Sequence, residues 1–175
     1  MQEAMRDSEF AAAIPTSWTG IVAGYFGGPN AAHVWALDTE WGRFPKNKKL
    51  PIWVGGYDGL GEAGQAIESL YWLGVPRGCY VALDMETRVD KTYVEKFVGC
   101  MQYAGFGVFV YGSASTVFGN PKGNGYWVAD YAGVGPFMYT GARLTQYADP
   151  ASGSGGNWDS STVKPWTAAF GAWWK

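Results

Sequence analysis

Two acidic residues, Asp84 and Glu86, stand two positions apart at the end of a predicted β-strand over residues 79–84. Side chains at alternate strand positions point to the same side, which puts the carboxylates roughly 6–7 Å apart. Such a pair suits glycoside hydrolysis, in which one group protonates the leaving oxygen while another stabilises the cation-like centre or activates water. Mutual repulsion also raises one pKa, so that a proton is held near neutral pH. Alternatively, the pair caps the following helix or binds Arg88.

The surrounding pattern alternates strands and helices. Apolar, β-prone runs at 50–54, 79–84 and 108–111 are separated by two amphipathic helices, the first over 62–73 and the second beginning after the N-cap Asp90. Further strand-like runs lie at 21–26, 126–131 and 143–147. Strand–helix–strand repeats are typical of parallel sheets, and the helices fade towards the C-terminus. The predicted fold is therefore an α/β, short or irregular TIM-like (β/α) barrel with reduced helices in its C-terminal half. Asp84 and Glu86 would lie at its C-terminal mouth, where active sites of such barrels are found.

Five short segments occur in a specific order along the chain. These are VPRGCYVALDMET, VFVYGSAS, YWVADY, LTQYAD and NWDSS. In order and spacing they resemble the glycoside hydrolase family 25 lysozymes, over roughly two-thirds of the chain. The sequence is similar in particular to the glycoside-hydrolase-like domains of actinobacteria and their phages.

The resemblance implies a peptidoglycan-directed, muramidase-type hydrolase. In that interpretation Glu86 is the general acid, and Asp84 and Asp159 shape the charge around the anomeric carbon. The side chains expected to line a substrate cleft are Tyr25, Tyr111, Trp127, Tyr131 and Gln146. Aromatic faces can stack on sugar rings and the amide can bind a hydroxyl or N-acetyl group.

One feature departs from the family pattern. The lysozymes carry an aspartate on their first strand, whereas the first strand predicted here, GIVAGYFGG, places Tyr25 near that position. If the acid is missing, the chain could instead be a catalytically degenerate barrel that serves as a structural or wall-binding component of a phage particle.

Composition limits the other possibilities. The 175 residues fit one domain, with an N-terminal arm at 1–18 and an aromatic tail at 164–175 that we expect to dock on the body or on other virion proteins. The net charge of −2 argues against nucleic acid as a partner. The single histidine, His33, argues against zinc, and no metal or cofactor is expected.

No secretory signal and no membrane span are recognisable. We therefore expect synthesis in a cytoplasm, followed by association with a virion or release by lysis.

A remote alternative rests on Gly59, Gly61 and Gly64, which fit the dinucleotide-binding pattern G-x-G-x-x-G between a strand and a helix. Tyr57 and Asp58 separate the strand from the first glycine, however, and the motif is not in the first βα unit of the chain.

Overall fold

Eight strands close into a barrel in chain order. The computed structural model describes residues 3–86, 90–131, 136–151 and 156–164. The strands are β1 (Glu3–Asp7), β2 (Ile21–Gly27), β3 (Lys49–Val54), β4 (Tyr80–Asp84), β5 (Gly107–Ser113), β6 (Gly125–Ala129), β7 (Leu144–Ala148) and β8 (Asp159–Val163). Neighbours from β1 to β7 pair in parallel. Strand β8 runs antiparallel to both β7 and β1. The predicted TIM-like barrel is confirmed.

Helices cover only part of the barrel. The described residues form three α-helices, α1 (Gly59–Trp72), α2 (Lys91–Tyr103) and the single turn α3 (Ala114–Val117). Helix α1 begins before the predicted residue 62 because the Asp58 carboxylate caps it, accepting hydrogen bonds from the next turn. The predicted cap of α2, Asp90, is confirmed in the same way. The expected reduction of helices in the C-terminal half is confirmed, since among the described residues only the single turn α3 follows β5.

The strands carry two apolar layers, one on each side of the barrel wall. Along β4, Ala82 joins the interior cluster, whereas Val81 and Leu83 pack under the helices. Asp84 follows in the interior phase, as the alternation predicts. The interior cluster is capped at the mouth by polar side chains, which leaves the C-terminal ends of the parallel strands as the polar face of the barrel.

A loop replaces the missing helix between β2 and β3. Within it, Trp35 is fully buried, with its ring tilted against Trp41 and stacked with Phe44. Its indole lies directly on Gly24 of β2, where an added Cβ would come within 2.5 Å of the ring. Gly24 therefore allows this loop to pack on the outer face of β2 and to bring residues 30–33 to the mouth.

Two strands were missed by the sequence analysis. Residues 3–7 of the predicted N-terminal arm form β1, and residues 159–163 form β8. Both are short and polar, so neither has the continuous apolar run by which buried parallel strands are recognised. On β1 only Met5 and Asp7 are buried, while Arg6 lies outside between the rings of Trp18 and Trp158, about 4 Å from each.

Other sequence predictions fall partly outside the described residues. These are Arg88 and the aromatic tail beyond Lys164. None of the described helices is long and apolar enough to span a membrane.

Candidate functional site

Four carboxylates converge at the mouth of the barrel. Asp7 ends β1, Asp84 ends β4, Glu86 follows it by two residues, and Asp159 begins β8. Because β8 runs antiparallel to its neighbours, its first residue lies at the same end of the barrel as the last residues of the others. Strands β1 and β8 are neighbours and β4 lies across the barrel, so the acids form two groups that face each other.

The acid thought to be absent from the first strand is present. That expectation was wrong because Ile21–Gly27 is the second strand, and the true first strand ends in Asp7. Asp7 is 3% exposed, and among the described residues its Oδ1 has no hydrogen-bond partner. The alternation of buried Met5 and Asp7 with outward Ala4 and Arg6 is the one sequence signal that could have revealed this strand.

The local geometry of Asp84 and Glu86 differs from helix capping. The cap of α2 is Asp90, so neither acid serves that helix. Instead, Asp84 Oδ1 accepts a hydrogen bond from the Glu86 backbone N–H at 3.0 Å. The Glu86 side chain leaves the turn towards solvent, and its Oε1 accepts a hydrogen bond from the Tyr111 hydroxyl at 3.1 Å. Asp84 is thus buried and fixes the backbone at Glu86, whose side chain is exposed and is oriented by Tyr111.

Burial and mutual repulsion favour the protonated forms of the three aspartates. Burial raises the pKa of Asp84 to about 7, with a further increase from the charge of Glu86 and an opposing effect from the Glu86 N–H. Burial also raises the pKa of Asp159, followed by the charges of Asp149 and Glu86. The pKa of Asp7 rises well above its usual range through burial, then through Asp159, Asp84 and Glu86. The site therefore holds protons near neutral pH, next to a carboxyl group that reaches solvent.

The predicted cleft residues occupy different depths. Tyr25 and Tyr131 are partly exposed at the mouth, and the Tyr131 hydroxyl lies 3.4 Å from that of Tyr111. Trp127 is 1% exposed. It packs 4.4 Å from the Tyr111 ring and donates a hydrogen bond to Ser161 Oγ. Trp127 therefore supports the cleft from within the barrel and does not form its surface.

Gln146 is the other deeply placed polar residue. It is 1% exposed, and within the described part of the chain neither end of its amide makes a hydrogen bond of regular geometry. It is nevertheless close enough to Asp159 to lower the pKa of that carboxyl group. A buried amide is rarely left without hydrogen bonds in folded proteins, so Gln146 needs a partner that the described residues do not supply.

The cleft itself has two lobes that meet at Tyr25 and Glu9. One lobe, about 190 Å³, reaches Asp84 and Glu86 and is also lined by Asn30 and His33. The other, about 360 Å³, reaches Asp159 and is lined by residues including Phe10, Asn157 and Trp158. A ligand lying across the mouth would contact both acid groups.

Several of these lining residues were not predicted, because they lie in loops without a repeating pattern. His33 is held by Glu40, whose two carboxylate oxygens both lie 2.9 Å from Nε2. Its ring packs 4.9 Å from Phe10. Glu40 therefore fixes a histidine of the cleft wall.

The glycine motif does not form a dinucleotide site. Gly59, Gly61 and Gly64 all lie within α1. The N–H groups of the preceding turn, from Gly56 to Asp58, donate to the Glu62 carboxylate, and those of the first helical turn donate to Asp58. The donors that would bind a pyrophosphate are thus taken by carboxylates of the chain itself. Within the described ranges no cluster of His, Cys, Asp or Glu is arranged to hold a metal ion.

Known structures share this barrel. No protein-family model matches the sequence, and no curated protein sequence matches it. An uncharacterized B. stearothermophilus protein superposes with a TM-score of 0.72 at 16% identity, covering 93% of this chain and 96% of that one. A family 25 glycosyl hydrolase from Bacillus anthracis gives 0.66 at 13% identity, covering 93% and 89%. The catalytic domain of endolysin ply40 from a bacteriophage of Listeria monocytogenes gives 0.65 at 14%, covering 94% of both. The chain therefore has the fold found in family 25 lysozymes and endolysins.

Proposed function

We propose that this chain is a peptidoglycan glycoside hydrolase that cleaves the wall glycan in the manner of a muramidase. The observation that carries the proposal is the convergence of Asp7, Asp84, Glu86 and Asp159 at one barrel mouth, where the last three line a cleft with aromatic walls. The shared fold of endolysins and family 25 hydrolases supports it, as does the presence of the first-strand acid.

In the proposed reaction Glu86 protonates the glycosidic oxygen. It is the acid that reaches solvent, it lines the cleft, and the Tyr111 hydroxyl orients it by donating a hydrogen bond to its Oε1. As the bond to the leaving sugar breaks, positive charge develops at the anomeric carbon. Near neutral pH the carboxyl groups of Asp84 and Asp159, with pKa values of about 7, are partly ionised. In the ionised form they stabilise that charge, and one of them accepts the proton of the water that adds to the carbon.

The same arrangement explains why several aspartates are kept in a dry site. Ionising a buried carboxyl group has an unfavourable desolvation free energy when no cation is nearby. The oxocarbenium-like centre of the transition state supplies that positive charge. The site is thus electrostatically more complementary to the transition state than to the neutral glycan.

The test is hydrolysis of purified, insoluble peptidoglycan by wild type and by Glu86→Gln. We expect wild type to release new reducing ends and Glu86→Gln to lose at least about 100-fold in rate, with an unchanged melting temperature. The matched control is Glu95→Gln, because Glu95 is an exposed acid on α2 outside the cleft. Activity that survives in Glu86→Gln would overturn the assignment, and binding of walls without cleavage by wild type would favour the scaffold alternative.

A further inference from the structure

We propose that a second glycan-binding site lies on the flank of the barrel, in the groove between α1 and the loop that joins β2 to β3. The groove encloses about 550 Å³ and lies outside the barrel wall, separate from the mouth. This inference rests on the proposed function, since it names a second contact with the same wall polymer.

The groove is built from aromatic side chains. Its floor is formed by Phe26, Trp35 and Trp53, which are buried. At its edge the indole of Trp72, the last residue of α1, is 72% exposed, and Val34 on the opposite loop is 47% exposed. An indole face left open beside an apolar floor is a stacking surface for the C–H face of a pyranose ring.

Polar groups accompany that indole along one face of α1. Gln65, Glu68 and Ser69 also line the groove, and their spacing relative to Trp72 places them on the same side of the helix. Within the described part of the chain, none of these three side chains makes a hydrogen bond or an ion pair to another residue. An amide, a carboxylate and a hydroxyl beside an indole match the alternating hydroxyls and apolar face of a sugar. A lipid chain or an apolar peptide would leave all three polar groups unmatched.

One loop contributes residues to both the groove and the cleft. Asn30 and His33 line the lobe that contains Glu86, whereas Val34 and Trp35, next along the chain, line the groove. A glycan network bound at the mouth therefore has this flank within reach. Two contacts with one insoluble polymer raise the apparent affinity through effective concentration, while a short soluble fragment gains nothing from the second.

The experiment measures binding to purified, insoluble peptidoglycan in the Glu86→Gln background, in which the polymer stays intact. Adding Trp72→Ala or Glu68→Ala is expected to weaken the apparent affinity by about fivefold or more. Adding Tyr103→Ala is the matched control, because Tyr103 is an exposed aromatic at the end of α2, 97% accessible and outside the groove, and is expected to change affinity by less than about twofold.

A second measurement separates this site from the catalytic one. With Glu86 intact, Trp72→Ala is expected to hydrolyse a short soluble wall oligosaccharide at the wild-type rate and to lose rate only on the insoluble polymer. Equal wall binding with and without Trp72→Ala overturns the proposal. So does self-association of wild type in sedimentation that Trp72→Ala abolishes, which would assign the groove to a second copy of the chain. If wild type releases no reducing ends, the proposed function fails, while the binding comparison still decides the role of the groove.

Discussion

Asp7 and Asp159 are register partners on the antiparallel strands β1 and β8, so their carboxyl groups leave the sheet side by side on its inner face. A negative charge on one of these carboxyl groups makes ionisation of the other less favourable. Among the described residues, no cationic side chain lines the lobe that reaches Asp159. Buried acids whose pKa values are raised by burial and by one another are enriched at functional sites.

We expect Asp7→Asn to lower the hydrolysis rate by about tenfold or more, because it removes one of the carboxylates facing the anomeric carbon. The same change relieves repulsion with Asp159 and is expected to raise the melting temperature at pH 8 by about 3 °C or more. Reducing-end release and thermal unfolding measure the two effects. A variant that keeps full activity, or that loses stability at pH 8, would remove Asp7 from the site.

The stability of the protein is expected to fall as the pH rises from about 4 to about 7. Over this range the unfolded chain has released the proton of Asp84, whose usual pKa is 3.8, whereas the folded chain keeps it up to a pKa of about 7. The folded state then binds more protons, so the free energy of unfolding decreases with pH and levels off above pH 7. Urea unfolding is expected to give a lower free energy of unfolding at pH 8 than at pH 5. We expect this difference to be smaller in Asp84→Asn than in wild type by about 1–3 kcal/mol. Equal decreases in the two proteins would refute the burial of this proton.

Tyr111→Phe removes the hydroxyl that donates to Glu86 and keeps the ring that packs on Trp127. We expect kcat to fall by about threefold to tenfold with little change in KM, because the Tyr111 hydroxyl orients the acid and does not itself bind the substrate. Tyr103→Phe, at an exposed position, is the control. An unchanged kcat would show that Glu86 is oriented by other means.

Glu62 is a structural carboxylate that accepts hydrogen bonds from the Tyr93 hydroxyl, the Trp53 indole and the backbone between β3 and α1. Glu62→Ala leaves these buried donors without an acceptor, and we expect it to lower the free energy of unfolding by about 3 kcal/mol or more. Urea unfolding measures this loss. The exposed Glu95→Ala is expected to change stability by less than about 0.5 kcal/mol, and similar values for both variants would contradict the role of the network.

The sequence predicts the barrel well where strands are apolar. The runs that became β3, β4 and β5, with the cap Asp90 and the terminating Gly74 and Gly105 at positive φ, follow local rules of propensity. Strands β1 and β8 could not be found in this way. Their polar residues are stabilised by pairing with each other across the whole length of the chain, and no local pattern records a contact between its two ends.

The site was predictable to a similar degree. Asp84 and Glu86 were identified from their alternation on one strand, whereas Asp7 depends on the strand that was missed. Trp127 and Gln146 were predicted to line the cleft, but they lie in the middle of β6 and β7 and are almost fully buried. Sequence alone does not give this depth, at which Trp127 contacts the Tyr111 ring and Ser161. His33 reaches the cleft only because a long loop packs on Gly24.

In the proposed function, Glu86 and the facing aspartates cleave the glycan backbone of the wall. The most direct test of this proposal is mass spectrometry of the fragments released from purified peptidoglycan after borohydride reduction. Wild type is expected to yield fragments with a reduced N-acetylmuramic acid end, and Glu86→Gln to yield none. Fragments cut within the peptide stems, or equal glycan fragments from both proteins, would contradict the account.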